Sequence, residues 1–384
     1  MLKADKKHAG PPQEFLGPLG GGRDKVASTG GGLIPTLGRF RLWVQLAMFF
    51  VTVYGSVFVG TYMADKISSN LPALSCAYDQ MNGGYCVLIP TQHILHHRIG
   101  EGIVRAQQLT FGMVVPLLMS FAFFYAFFFV IGKAFCGWVC PLGTLQELIG
   151  KIGRRFNIGL RRLATGDLGA AQKARPVKWL LLLGLVFMLP LLTGLGVTPH
   201  SLGNPYCDIC PSRVATTLLT GNTDELALRM NDGWKFGLGA VANTLIGFML
   251  IGALAMRQPF CRICPLLAFN AVFQRLSPLR LAKPTRDKCG SCHICTDACP
   301  LDIPEIASEE GRKAYNEDCT LCGRCAEYCP QDGVIKLKWG PFALFASSRE
   351  YYKNRVKGEL PDGTVKPVKF VRNAVKPASG AADA

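Results

Sequence analysis

Charge is missing from four long stretches of this chain: residues 42–63, 109–132, 179–198 and 236–256 contain no Asp, Glu, Lys or Arg. A bilayer core needs about 20 consecutive apolar residues, and each stretch reaches that length. The core helix of a water-soluble protein would carry a polar stripe. None interrupts these runs, so they read as four transmembrane helices. The lack of ionisable groups inside them argues against a coupled ion pump, which relays ions through such residues. Acids are also scarce, 26 Asp+Glu against 42 Lys+Arg. The basic residues flank the spans and form no aromatic-interleaved surface, which argues against a nucleic-acid partner. A cleavable signal peptide is lacking too: residues 1–38 are polar and Gly/Pro-rich and read as a disordered tail.

Charge around the spans sets the expected topology. Loop 133–178 carries nine Lys/Arg against two acids, and loop 199–235 carries three against four. By the positive-inside rule, loop 133–178 and both termini face the cytoplasm. This predicts a multi-pass protein of the bacterial inner membrane, with anionic lipid attracted to the basic face.

The strongest chemistry lies at 289–330. "CGSCHICTDACP" and "CTLCGRCAEYCP" both follow C-x2-C-x2-C-x3-C-P, the bacterial two-cluster spacing in which each fourth cysteine ligates the other cluster. Cys289, Cys292, Cys295 and Cys329 are expected to hold one [4Fe–4S] cluster. Cys319, Cys322, Cys325 and Cys299 are expected to hold the second. Zinc also uses C-x-x-C pairs, but two complete copies each closed by Cys-Pro favour iron–sulfur. Disulfides do not suit a reducing cytoplasm.

Two more pairs follow the second and fourth spans, "KAFCGWVCPLG" and "RQPFCRICPLL". Aligning Phe135 with Phe260, Cys136 with Cys261 and Cys140 with Cys264 resolves the membrane region into a pair of pseudo-repeats. Cys136, Cys140, Cys261 and Cys264 then form an inner four-thiol site, the expected third iron–sulfur centre. The predicted fold is thus an all-α membrane domain (39–280), a small α+β two-cluster ferredoxin-like domain (281–338) and a basic extension (339–384). The paired Cys-Pro motifs together with the two ferredoxin runs resemble the NapH/MauN polyferredoxin family and the membrane half of NosR. That resemblance implies an inner-membrane protein moving electrons between the quinone pool and a redox partner. The chain departs from the family pattern in its C-x2-C second motif, in four extra outer-loop cysteines and in having no flavin-binding domain.

Cys76, Cys86, Cys207 and Cys210 fall in the two outer loops. Two readings stand for them: periplasmic disulfides, or an outer four-thiolate site mirroring the inner one, a fourth centre. Histidines gather in the same loops. His93 and His97 lie one helical turn apart and, with His200, suit a quinol headgroup; haem ligation and a plain solvated interfacial helix are the rival readings. For the whole chain, an electron-transfer module that oxidises quinol or reduces quinone stands beside a redox maturation factor that keeps a partner metalloenzyme reduced. A hydrocarbon core of about 30 Å is too wide for one hop between outer and inner sites. Either a cofactor lies between them or broken helices bring them inward.

Overall fold

The computed structural model describes residues 37–59, 86–156, 170–221, 232–283, 294–303 and 317–356, with short pieces between them. Cys76, Cys292, the tail before residue 37 and the end of the basic extension lie outside the described residues. The structure is mostly helical. Helix α1 spans Leu37–Val59. Next, α-helical Leu88–His93, π-helical Ile94–Gly100 and α-helical Glu101–Ala106 run on as one rod, α2. Then follow α3 (Phe111–Ile131), α4 (Pro141–Arg155) and α5 (Ala170–Gly194), the last with a π-helical middle at Leu182–Met188. After them come α6 (Pro205–Ile209), α7 (Pro211–Leu219), α8 (Gly233–Ala255) and α9 (Pro265–Gln274).

Proline sets the starts of α4, α7 and α9, because a first-turn residue needs no N–H partner and its fixed φ suits the helix. Proline also drives the residue before it out of helical ψ. Cys140, Cys210 and Cys264 accordingly share one conformation, with ψ of 118°, 118° and 119°. A Cys-Pro pair is therefore a hinge that places a thiol at the start of a helix, and it recurs on both the inner and the outer motif.

Of the expected spans, Ala174–Gly194 and Gly233–Ala255 are long and apolar enough to cross a membrane. The other two stretches are helical as well. In α1 the described helix ends at Val59, and residues 60–63 lie outside the described residues. All four helices carry large exposed apolar side chains, among them Trp43, Met119, Leu180 and Ile251.

The ferredoxin domain contains a three-stranded antiparallel sheet, β1 (Leu279–Ala282), β2 (Lys336–Trp339) and β3 (Phe342–Ala346), with a bulge at Leu337/Lys338. Strand β3 lies past residue 338, inside the stretch that the sequence suggests is extension. Leu301, Ile303, Ile306, Leu321 and Ile335 fill the core beneath the cysteines. Ion pairs dock this domain on the helices. Arg175 and Lys178 both reach Asp318, Arg175 also reaches Glu305 at 2.6 Å, and Arg257 and Arg262 share Asp302. Glu147 on α4 takes a bidentate Arg41 (2.7 and 2.8 Å) and is paired with Arg324.

Candidate functional site

The thiols lie in a row. Cys299, Cys319, Cys322 and Cys325, the ligand set expected for the second ferredoxin cluster, line one cavity. Burial first, then the neighbouring Cys322, pushes the Cys299 and Cys319 thiols up to about 12. Thiolates buried in this way need a compensating cation, which fits a set built for iron. Of the other expected set, Cys289, Cys295 and Cys329 pack on the same core.

Cys136, Cys261 and Cys264 abut that core from the membrane side. The join is tight. A Cβ on Gly137 would stand 2.5 Å from the Thr320 carbonyl oxygen and 3.3 Å from Cys322 Cα. Trp138 Nε1 donates to the Leu321 carbonyl at 3.1 Å. The Lys133 ammonium, buried at 1% exposure, interacts with both Cys136 and Cys319 and donates to the Glu317 carbonyl at 2.9 Å. Gly137, Trp138 and Lys133 thus seat the inner thiols against the second ferredoxin set.

The outer thiols are not a membrane thickness away. Cys86 and Cys210 pack on the same apolar core as Cys136, Cys140 and Cys264. Tyr206, buried between them, feels the thiols of Cys210, Cys264 and Cys86 together. Cys207 lies on α6, and Cys210 sits at the break between α6 and α7. Cys86, Cys207 and Cys210 stand as free thiols.

A matching hydrogen-bond device serves both sites. Gln92 Nε2 donates to Cys207 Sγ (3.0 Å) and to the Leu88 carbonyl (3.0 Å), and its Oε1 accepts from Tyr206 N (3.2 Å). Gln146 Nε2 donates to Cys261 Sγ (3.5 Å) and to the Leu142 carbonyl (3.2 Å), and its Oε1 accepts from Phe260 N (3.1 Å). Each glutamine stands 115 residues before its cysteine. Sequence reasoning missed both, although Gln92 and Gln146 each lie six residues after a motif cysteine, Cys86 and Cys140.

The histidines form a second grouping. His97 and His200 come together, and His93 lies against His97 with ring centroids 4.6 Å apart at a tilt of 57°. The centre of the group is one the sequence did not single out: His96, 2% exposed, lies 3.9 Å from the His97 ring and 4.6 Å from the His200 ring. Burial, then His97 and His200, brings the His96 imidazole down to about 4, so it is neutral at physiological pH. Glu101 completes the group, held below its usual carboxylate range by the hydrogen bond with His97. The π-helix explains the oversight. A π turn closes from residue i to i+5, and Glu101 N donates to the His96 carbonyl. His96 and Glu101 therefore share a face that 3.6-residue spacing would separate.

A family model described as a 4Fe-4S binding domain matches residues 111–159 and 240–284, the stretches that carry the inner cysteines. The chain is 28% identical over 202 residues to the putative electron transport protein YccM of Escherichia coli, covering 52% of this chain and 50% of that one. It is 25% identical over 213 residues to the ferredoxin-type protein NapH of E. coli (54% and 63%). The regulatory protein NosR of Stutzerimonas stutzeri is 28% identical over 193 residues (50% and 22%). The match thus spans one half to somewhat under two thirds of the first two relatives. No solved structure matches the chain. With its inner cysteine pairs inside the stretches that 4Fe-4S model matches and relatives of this kind across half its length, the chain is similar to the NapH-type polyferredoxins.

Proposed function

We propose that the chain is an inner-membrane iron–sulfur electron carrier linking the quinone pool to a redox partner, with its ferredoxin domain in the cytoplasm. The observation that carries this reading is the row of thiols, running from Cys86, Cys207 and Cys210 past Tyr206 to the inner set and on to the ferredoxin sets. Iron–sulfur clusters bound by these thiolates would supply one-electron carriers whose potentials follow from hydrogen bonding and burial. The chain's own role is to hold the thiols, donate to them through Gln92, Gln146 and Asn270, and keep water out. Membrane placement is supported by the large exposed apolar side chains carried by α1, α3, α5 and α8. Cytoplasmic docking is supported by basic residues at helix ends pairing with acids of the ferredoxin domain.

Counting iron and acid-labile sulfide tests the cofactor set. About eight irons per chain would mean that only the ferredoxin sets are filled, about twelve would add the inner set, and about sixteen all four. The proposed full set gives about sixteen, falling to about twelve in Cys207→Ser/Cys210→Ser. An unchanged count in that double variant removes the outer centre.

A further inference from the structure

The histidine group has the geometry of a metal-ion site separate from the thiols. The ring nitrogens of His96, His97 and His200 and a carboxylate oxygen of Glu101 all lie within 4.8 Å of one another. Glu101 Oε1 stands at their focus, 2.7 Å from His97 Nδ1, 3.8 Å from His96 Nε2 and 3.9 Å from His200 Nε2. Donors on a tetrahedral ion with bonds of about 2.0–2.2 Å stand roughly 3.4 Å apart, so small rotamer shifts suffice to close the set. His96 is the telling residue. Its ring is 2% exposed, yet neither ring nitrogen has a hydrogen-bond partner. A buried polar atom left unpaired costs about 1–3 kcal/mol, and a bound cation would remove that cost at the nitrogen facing Glu101.

The scaffold around the group is rigid and closely fitted. Gly100 on α2 meets Gly194 on α5 backbone to backbone; a Cβ on Gly100 would stand 2.5 Å from Gly194 Cα. A Cβ on Gly194 would strike the His96 carbonyl, and one on Gly203 would strike the His96 ring at Nδ1 and Cε1. Three glycines thus lock the crossing of α2 and α5 and press His96 toward the other ligands. The closely packed, mutually tilted rings also decide between ligand classes. His97 and His200 have ring centroids 5.6 Å apart with the His96 ring against both, which leaves no slot for a flat macrocycle such as haem.

We propose that His96, His97, His200 and Glu101 bind one divalent first-row transition-metal ion through three imidazoles and a carboxylate. Imidazole donors suit zinc, copper, iron and nickel, and zinc is the probe. The site lies one helical turn along α2 from Gln92, the donor to Cys207, so the ion fixes the segment that holds the outer thiols. The inference does not depend on the direction of electron flow or on quinol.

The test uses full-length protein purified with its clusters, stripped of adventitious metal and titrated anaerobically with Zn2+ by calorimetry, then with Co2+ by visible difference spectroscopy. One tight equivalent is expected, with Co2+ giving ligand-field bands of a nitrogen and oxygen site. His96→Ala and His200→Asn are expected to weaken binding more than about 100-fold, the upper range for disturbing a metal's ligand shell, at unchanged iron content. Equal affinity in wild type and His200→Asn would overturn the site, as would a Co2+ spectrum dominated by thiolate charge transfer. The His200 side chain is 77% exposed, so its replacement does not endanger the fold. Should His96→Ala lose iron, the His200→Asn comparison decides.

Discussion

At the scale of single residues, contacts between the thiols and their neighbours are the quantities open to test. The amides of Gln92 and Gln146 each donate to one cysteine and accept from the backbone one residue before it. Hydrogen bonds to cluster sulfurs raise potential by stabilising the reduced, more negative state. Gln146→Leu is therefore expected to lower the midpoint potential of the inner centre and leave the outer one in place, with Gln92→Leu doing the reverse; EPR-monitored redox titration reads both. Lys133 acts by charge instead. Its ammonium interacts with Cys136 and Cys319, and a unit charge at close range is worth on the order of 100 mV at an effective dielectric near 20. Lys133→Met is expected to shift the inner and second ferredoxin centres downward together, whereas a shift of one alone would contradict its place between them. Gly137 makes a steric point: Gly137→Ala would wedge Thr320 and Cys322 away from the inner motif, while Gly184→Ala, with open space around it, makes a matched control. Slower equilibration between the inner and ferredoxin centres in the first variant and none in the second is the expected flash-reduction result.

At the scale of elements, the sequence and the structure differ in an instructive way. Cys299, Cys319, Cys322 and Cys325, which the structure gathers around one cavity, can be picked out from their spacing, because C-x2-C and Cys-Pro position thiols whatever surrounds them. The helices were legible from their lack of charge. Three things were not. The π-helical turns at Ile94–Gly100 and Leu182–Met188 leave no compositional mark, so His96 and Glu101 do not stand out. Strand β3 reads as extension because Phe342–Ala346 forms an edge beside one partner only and lacks a buried alternation. The third concerns what the basic loops do. Arg175 and Lys178, which from sequence alone count only toward topology, bind acids of the ferredoxin domain. Lys178 is fully buried against Asp318, and removing one partner of a buried pair costs about 3–5 kcal/mol. Asp318→Asn is expected to loosen the ferredoxin domain from the helices, read as faster amide exchange across residues 317–339 with that of α8 unchanged. Equal exchange in wild type and variant would mean that the pair does not hold the docking.

At the scale of the whole molecule, the fourteen cysteines among the described residues fall into neighbouring groups. The outer motif repeats the inner one down to its Cys-Pro ψ angle and its glutamine donor, so helix, cysteine pair and Pro-led helix form one unit used twice. Such a repeat brings two thiol groups onto a shared apolar core that also contains Tyr206. If electrons enter at the outer end, every carrier beyond it depends on that unit. In proteoliposomes, quinol is then expected to reduce the ferredoxin centres of the wild type but not those of Cys207→Ser/Cys210→Ser, while dithionite, which reaches the cytoplasmic face directly, reduces both alike. Retained quinol reduction in the double variant would place electron entry at the inner set and leave the outer thiols a structural copy of it. Loss of reduction by both donors would instead mean that the substitutions had cost the protein its clusters, which the iron count registers independently.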